Sequence, residues 1–379
     1  MTNNNLSDRT PTPAELGFAM PAEFAPHDAC WMLWPQRPDN WRYGAKPAQE
    51  SFVAVASAIA ESETVFVGVN DDQYENARYH LPAHIRVVEL SSNDAWMRDV
   101  GPTFLTHTDG RLAMVDWEFN AWGGLNGGLY FPWDKDRRIR GKIAEMLGIE
   151  RFISPLVLEG GAIHVDGEGT LITTEECLLN PNRNPEWSKA DIERLLCDFL
   201  GVSKIIWLPR GCYQDETNGH VDNLCCFIAP GEVALTWTDD VNDPQHGICQ
   251  EAREILEGAT DAKGRRLEVH LLPQPGPLTI AATEASGVDR LSGSKPRQPG
   301  DRMAGSYVNF YIGNSVVVMP LLDPAHDDKA KTILEALFPN RRVLGVPARE
   351  ILLGGGNVHC ITQQQPRSHL IKYRGGTSV

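Results

Sequence analysis

Hydrophobic positions along this chain follow two rhythms that alternate in a fixed order. From residue 161 the sequence reads AIHV, a polar turn at 166–169, TLITT, then SKADIERLLCDFLG with apolar residues at helical spacing, then KIIWLP. The short apolar runs bounded by Gly and Asp predict strands. The 3.6-residue pattern behind Ser188, a residue type suited to capping, predicts a helix. The unit is therefore strand, hairpin, strand, helix, strand.

The same order returns from residue 220 as NLCCFIA, a turn at 230–232, VALTW, PQHGICQEAREILEG and LEVHLLP. It returns from 306 as YVNFYI, a turn at Gly313 and Asn314, SVVVMPLL, AHDDKAKTILEALF and RVLGVP. An earlier copy starts near Gly101, with PTFLTH, the Asp109-Gly110 turn, RLAMVDWEF, a helical KDRRIRGKIAEMLG and FISPLVL. A fifth is completed across the termini, with NVHCITQQ giving one strand and WMLWP, ESFVAVASAIAES and TVFVGVN giving the rest. Five units of roughly 60 to 80 residues, the last joined to the first, predict a closed ring of ββαβ modules. That makes a single domain over 1–379, with 1–16 and 366–379 expected to be flexible. The units share almost no residue identity, so an open α/β sheet of alternating elements fits the same pattern.

Two stretches break the rhythm. One is NAWGGLNGGLYFPW at 120–133; the other is a polar, Gly/Pro-rich insert at 276–303, read as either a lid or a subunit contact. Loops of this length are usually functional or mobile.

Composition narrows the function. The chain has 35 basic and 50 acidic residues, a formal charge of −15, and 42% hydrophobic residues, which fits a globular protein. No long basic run is present to neutralise phosphates, so no nucleic-acid partner is expected. The richest basic stretch, 135–140, is interrupted by Asp136 and reads as the solvated face of a helix. An acidic surface suits a small cationic substrate. The N-terminal MTNNNLSDRTPTP lacks a basic segment followed by an apolar one, and no run approaches the ~20 apolar residues of a membrane span. A cytoplasmic protein without a membrane partner is expected. The eight cysteines show no C-x-x-C pair, which indicates neither a disulfide framework nor a zinc ribbon. Each is by default a buried small hydrophobe.

The unusual residues sit at one phase of the repeat. Just before the first strands come NDAWMRD (93–99), LEGG (158–161), DETNGHVD (215–222) and GGGNVHC (354–360). In a ring, residues at the same phase of each module meet near the axis, so Asp99, Glu159, His220, Asp222 and Cys360 are expected to converge. Singly, each has a plainer explanation: an ion pair with Arg98, a hairpin start, a loop residue, a strand cap. Cys360 stands apart because Gly354, Gly355 and Gly356, followed by Asn357, let bare backbone approach a ligand and leave a thiol on the following strand, although three glycines can also serve a tight crossing.

One thiol, one imidazole and three carboxylates suggest attack by cysteine with histidine as acid and base. Several carboxylates would oppose a developing oxyanion and raise the thiol's pKa. They suit a planar cation, because a guanidinium presents forked N–H donors to carboxylates.

The motifs NDAWMRDVGP, DWEFNAWGG with GGLYFPWD, LEGGAIHVDGEGT, DETNGHVDN and ILLGGGNVHCITQQ resemble those of the agmatine deiminase family, guanidine-modifying enzymes of the pentein superfamily. The likeness runs from about Gly17, through MPAEFAPHDACWMLWPQRPDNWR, to Gln364. It implies a five-bladed, pseudo-symmetric α/β propeller of ββαβ modules. It also implies hydrolysis of agmatine to N-carbamoylputrescine and ammonia in putrescine biosynthesis, without metal or organic cofactor. By position, Cys360 resembles the family nucleophile, which passes through an amidino-cysteine intermediate. His220 resembles the acid/base, Glu159 its partner, and Asp99 and Asp222 the guanidinium carboxylates. Glu216, with Trp96 and Trp122, is a candidate for the amine end, and Gly355 and Asn357 line the expected approach to the thiol. A homo-oligomer, dimer or tetramer, is also expected.

Two rivals stay open at this point. A deiminase of free or peptidyl arginine would need an Arg or Lys to pair the substrate carboxylate. A catalytically silent propeller would serve as a binding scaffold.

Overall fold

The computed structural model describes residues 10–368. Its strands form five separate sheets rather than one open sheet. In each, an antiparallel pair is followed by a parallel strand delivered by a helix, because a parallel connection needs a crossover. The first module pairs Thr103–His107 with Leu112–Glu118, then runs through helix Ile139–Leu147 to Glu150–Val157. The second uses Ile163–Val165, Thr170–Thr174, helix Lys189–Leu200 and Lys204–Leu208. The third uses Cys225–Ala229, Glu232–Trp237, helix Pro244–Gly258 and Glu268–Pro273. The fourth uses Tyr311–Ile312, Val316–Leu321, helix Asp327–Leu337 and Arg342–Pro347.

The fifth joins the ends of the chain. Gln363–Pro366 pairs antiparallel with His27–Leu33, which pairs parallel with Thr64–Val69 after helix Lys46–Ile59. Apolar cores lie between neighbouring modules and so close the ring. Leu105 and Val115 of the first pack with Ile163 and Leu171 of the second. Ile172 and Leu208 of the second pack with Phe227 and Leu235 of the third. Cys226 and Leu272 of the third pack with Val317 and Met319 of the fourth. Val316, Val318 and Val346 of the fourth share a core with Trp31 and Val65 of the fifth and with Met114 of the first.

Local chemistry accounts for the elements. Ser188 Oγ accepts from Asp191 N, and Asp191 returns a bond to the Ser188 backbone, a reciprocal cap that typically contributes about 1 kcal/mol. Helix Lys189–Leu200 then buries Ile192, Leu195, Leu196 and Leu200, each contributing roughly 1.5–3 kcal/mol as its side chain leaves water.

Several expectations change. The strand expected in NVHCITQQ begins only at Gln363, so Cys360 lies in a turn ahead of it and not on a strand. The fourth module's first strand shrinks to two residues, because 307–308 form a turn and 309–310 pair with no neighbouring strand among the described residues. Two short strands, Phe18–Ala19 and Arg86–Glu89, extend the first and fifth sheets beyond the repeat. The basic stretch 135–140 is not wholly a solvated face. Arg140 is fully buried and donates to the carbonyls of Gly101, Trp117, Asp99 and Leu158, tying the first module's turn to its neighbour. Of the ends expected to be flexible, 1–9 and 369–379 lie outside the described residues. Ala14 N donates to Asp198 O and Ser368 Oγ to Gly110 O, so the inner parts of both are fastened to the body. Among the described residues no helix is long and apolar enough to cross a membrane.

Candidate active site

Each of the motifs flagged in the sequence folds as one helical turn immediately before its module's first strand. Asp99 lies in helix Met97–Val100, Glu159 caps Gly160–Ala162, and His220 caps Val221–Asn223, which contains Asp222. Cys360 lies in the equivalent turn before Gln363–Pro366. The five side chains meet. His220 Nε2 is 3.4 Å from Glu159 Oε2 and its Nδ1 is 3.8 Å from Asp99 Oδ2. The Cys360 thiol is 3.6 Å from Asp222 Oδ2. At their centre is Gly161, where a Cβ would stand 2.5 Å from His220 Nδ1, 2.8 Å from Asp222 Oδ2 and 3.0 Å from Asp99 Oδ1. No larger residue fits there without displacing them.

Surrounding groups fix these side chains. Asp99 accepts from Gly161 N and from Trp122 Nε1, both at 2.9 Å. Trp122 itself has φ 60, a left-handed conformation that costs a bulky residue roughly 1–3 kcal/mol and clusters at functional sites. That bond to Asp99, and Arg183 donating to the Trp122 carbonyl at 2.9 Å, hold it in place. Asp215 accepts from the backbone N of Thr217 and His220, and Asn218 and Gly219 turn the chain with positive φ, which Asn and Gly tolerate best.

The charges are strongly perturbed. Burial pushes the Cys360 thiol up, and Asp222 and Asp99 push it further, well above the usual thiol range. Burial alone would make His220 a weaker base, but Asp99, Cys177 and Glu159 outweigh it and favour the imidazolium. Burial opposes ionisation of Glu159, yet Arg183 and His220 prevail and bring it down to about 2. Asp99 is raised, by burial and by the neighbouring Asp222 and Glu159. Asp222 is lowered despite burial, because His359 bonds to it. Its Oδ1, though buried, has no protein partner. Such a group normally has one, so an orphaned acceptor among fixed charges points to a ligand donor.

Of the remaining expected residues, Trp96 stacks on Trp41 at 5.1 Å and closes over Gly356. Trp96 and Trp122 share the wall of a small pocket with Asn40, Tyr130 and Arg297. Gly355, at φ +110, lies beside Glu216 and Arg297, where a side chain would collide with both. Asn357 is buried, with its Oδ1 accepting from Val358 N and its Nδ2 unpartnered. Glu216 does not stand alone. Arg297, from the 276–303 insert, donates to both its oxygens at 2.9 and 3.0 Å, and also to Gly354 O at 2.6 Å and Asn40 Oδ1 at 2.5 Å. The insert therefore lies across the mouth, pinned also by Phe131 N to Gly293 O and Lys295 N to Leu129 O.

Sequence reasoning missed three groups. Asn309, fully buried, occupies the fourth module's turn. It donates through Nδ2 to Cys360 Sγ at 3.2 Å and accepts His359 N at 2.9 Å. Its phase was the available signal. Arg183 donates to Glu159 Oε1 at 2.8 Å and to the carbonyls of Trp122 and Thr217. The third is the pair His359, bonded to Asp222, and Glu23, bonded to the other side of the His359 ring. Two buried sets, Glu159 with Cys177 and His220, and Glu23 with His164 and His359, have the composition of metal ligands. In each the carboxylate is already bonded to an arginine, Arg183 or Arg98, whose fixed charge opposes a cation.

The sequence profile of the Porphyromonas-type peptidyl-arginine deiminase family matches residues 19–366. An agmatine deiminase of Pseudomonas aeruginosa is 58% identical over 363 residues, 95% of this chain and 99% of the relative. The structure of the agmatine deiminase of Enterococcus faecalis superposes with a TM-score of 0.92 at 47% identity, over 94% of this chain and 98% of that one. A cysteine-to-serine variant of the C. jejuni agmatine deiminase with substrate bound superposes at 0.80 with 25% identity, over 93% and 97%.

Proposed function

The chain belongs to the agmatine deiminases, within the Porphyromonas-type peptidyl-arginine deiminase family, and from that membership we propose that it hydrolyses agmatine to N-carbamoylputrescine and ammonia, a step in making putrescine. The observation that carries this reading is one thiol among buried carboxylates, with Asp222 Oδ1 left unpartnered. That is a receptor for a guanidinium.

Asp99 and Asp222 hold the guanidinium by charge-assisted N–H···O bonds. The arriving cation offsets the negative surroundings that keep Cys360 protonated, so on binding the thiol gives up its proton to solvent and the thiolate forms. It attacks the central carbon, a C–S bond forms, and the C=N electron pair moves to nitrogen. His220, oriented by its Nε2 contact to Glu159, protonates one amino group, and the C–N bond breaks to release ammonia. Neutral His220 then takes a proton from water, which adds to the amidino-cysteine carbon. A C–O bond forms; as the C–S bond breaks, the hydroxyl proton passes to the departing sulfur, which restores the Cys360 thiol, and the neutral ureido product leaves. No step draws on a metal or organic cofactor.

Labelling tests the cation requirement. A cationic haloacetamidine should modify Cys360 at least ~100-fold faster than the other seven cysteines, because it supplies the positive charge the thiolate needs, whereas neutral iodoacetamide should show little such selectivity. Equal labelling of all eight by the cationic reagent would favour a silent scaffold.

At the mouth, Glu216, Trp96 and Trp122 are assigned to the substrate amine, beside Gly355 and Asn357. Arg297 is the cation an arginine deiminase would need there, but it is committed to Glu216. Ureido product from agmatine, free arginine and a blocked arginine peptide, measured side by side, decides between them. Agmatine should lead, and a tenfold or greater preference for arginine overturns the assignment. A homo-oligomer and a cytoplasmic setting complete this reading, open to sedimentation and cell fractionation.

A further inference from the structure

A second cluster of buried charge adjoins Asp222 and takes no part in the chemistry above. His359 Nδ1 is 2.9 Å from Asp222 Oδ2, and His359 Nε2 is 2.9 Å from both oxygens of Glu23. Arg98 Nη1 donates to Glu23 at 2.9 Å, and His164 Nε2 stands 3.5 Å from it. The backbone N–H of Phe227 donates to His164 Nδ1, which leaves the His164 proton on the nitrogen facing Glu23. Asp222, His359, Glu23, Arg98 and His164 are each no more than 3% exposed.

Both nitrogens of His359 face carboxylate acceptors, so both must carry protons for the bonds to form, which is the imidazolium state. With neutral His164, two carboxylates then balance His359 and Arg98. Deprotonating His359 would leave an uncompensated negative charge where burial makes that expensive. The cluster joins four modules: Asp222 from the third, His359 and Glu23 from the fifth, Arg98 from the turn that opens the first, and His164 from the second. Arg98 N also donates to Cys360 O at 3.1 Å, and Arg98 Nε to His359 O at 3.3 Å, so the same residues frame the thiol's turn.

We propose that Glu23 and His359 act as positioning residues for deimination, fixing Oδ2 of Asp222 and sustaining its charge so that the unpartnered Oδ1 is presented to the substrate guanidinium. This rests on the reading of Asp222 given under the proposed function. Neither residue touches substrate. Glu23 acts two bonds of the relay away, from Glu23 to His359 and from His359 to Asp222.

Glu23→Gln tests it. The groups facing His359 are Asp222, Glu23, Arg98 and His164, with Cys360 next in the chain. Removing the Glu23 charge lets the imidazolium lose its proton at lower pH, and above that pH Asp222 lacks its cationic partner. The KM for agmatine should rise about tenfold at neutral pH, with kcat falling less, and the alkaline limb of kcat/KM should move down by about one unit or more. Glu23→Asp, which keeps the charge, should restore the limb. A structural role alone would lower the fraction of sites titratable by haloacetamidine at every pH and leave the profile's shape unchanged. Ring ¹⁵N shifts of His359 give a readout independent of substrate: doubly protonated through neutral pH in the parent protein, titrating earlier in Glu23→Gln. If the parent turns over agmatine and neither the limb nor the ¹⁵N titration moves in Glu23→Gln, the relay is overturned. If the parent does not turn over agmatine, the functional reading fails, and the ¹⁵N comparison still decides whether Glu23 holds the charge of His359.

Discussion

Cys360→Ala is expected to reduce ammonia release from agmatine by at least ~10⁴-fold, with the melting curve of the parent protein retained. The size follows from what the thiol supplies. Among the described residues Cys360 is the thiol beside Asp222, and on the proposed mechanism water attacking the substrate directly would do so beside Asp222 and Asp99, which repel an incoming anion. The substitution removes one buried sulfur from a turn that Asn309 still ties down through His359 N, so the scaffold should survive. Carbon-14 agmatine quenched in acid should label the parent protein through an amidino-sulfur bond and leave Cys360→Ala unlabelled. Retention of more than a few per cent of activity would show that the covalent route is wrong.

His220→Ala carries the second-largest expected effect, a loss of ~10² to 10⁴ in kcat, the usual worth of general acid–base help. In the proposed mechanism two protons move through this imidazole, one to ammonia and one from water. Asp99 and Glu159 favour its protonated form, so the first transfer is ready when substrate arrives. A leaving group with higher acidity should recover much of the loss, because it departs without a proton. If a substrate analogue with such a leaving group is as impaired as agmatine, His220 is not the acid. The variant should still be alkylated by a haloacetamidine, since Asp222 and Cys360 remain in place.

How far the sequence reveals this site depends on the kind of residue. The modules are legible because short apolar runs and a 3.6-residue pattern recur in one order, and turns such as Gly313-Asn314 separate them. Asp99, Glu159, His220, Asp222 and Cys360 stand out because each is reactive and each holds the same phase. Asn309 holds that phase too, but an amide carries no chemical signature of its own. Arg140 and Arg183 look like solvent-facing cations, since a one-dimensional pattern assigns charge to the surface. Their burial depends on carbonyls and carboxylates brought from other modules, as with Glu159 against Arg183. Glu23 and His359 are hidden for the same reason. The strand expected at Cys360 fails because the turn that aims the thiol takes up residues 358–361 before pairing begins.

The joining of Gln363–Pro366 to His27–Leu33 also has a temporal side. A ribosome makes the chain from its N-terminus, so Asp99, Glu159, His220 and Asp222 are all synthesised before Cys360. The strand that anchors the Cys360 turn must then find a partner made more than 300 residues earlier, a contact of very high sequence separation and slow to form. Until it does, the carboxylates assigned to the guanidinium lack the thiol proposed as nucleophile. Joining the two ends is thus expected to be the step that brings the thiol to the carboxylates and turns activity on.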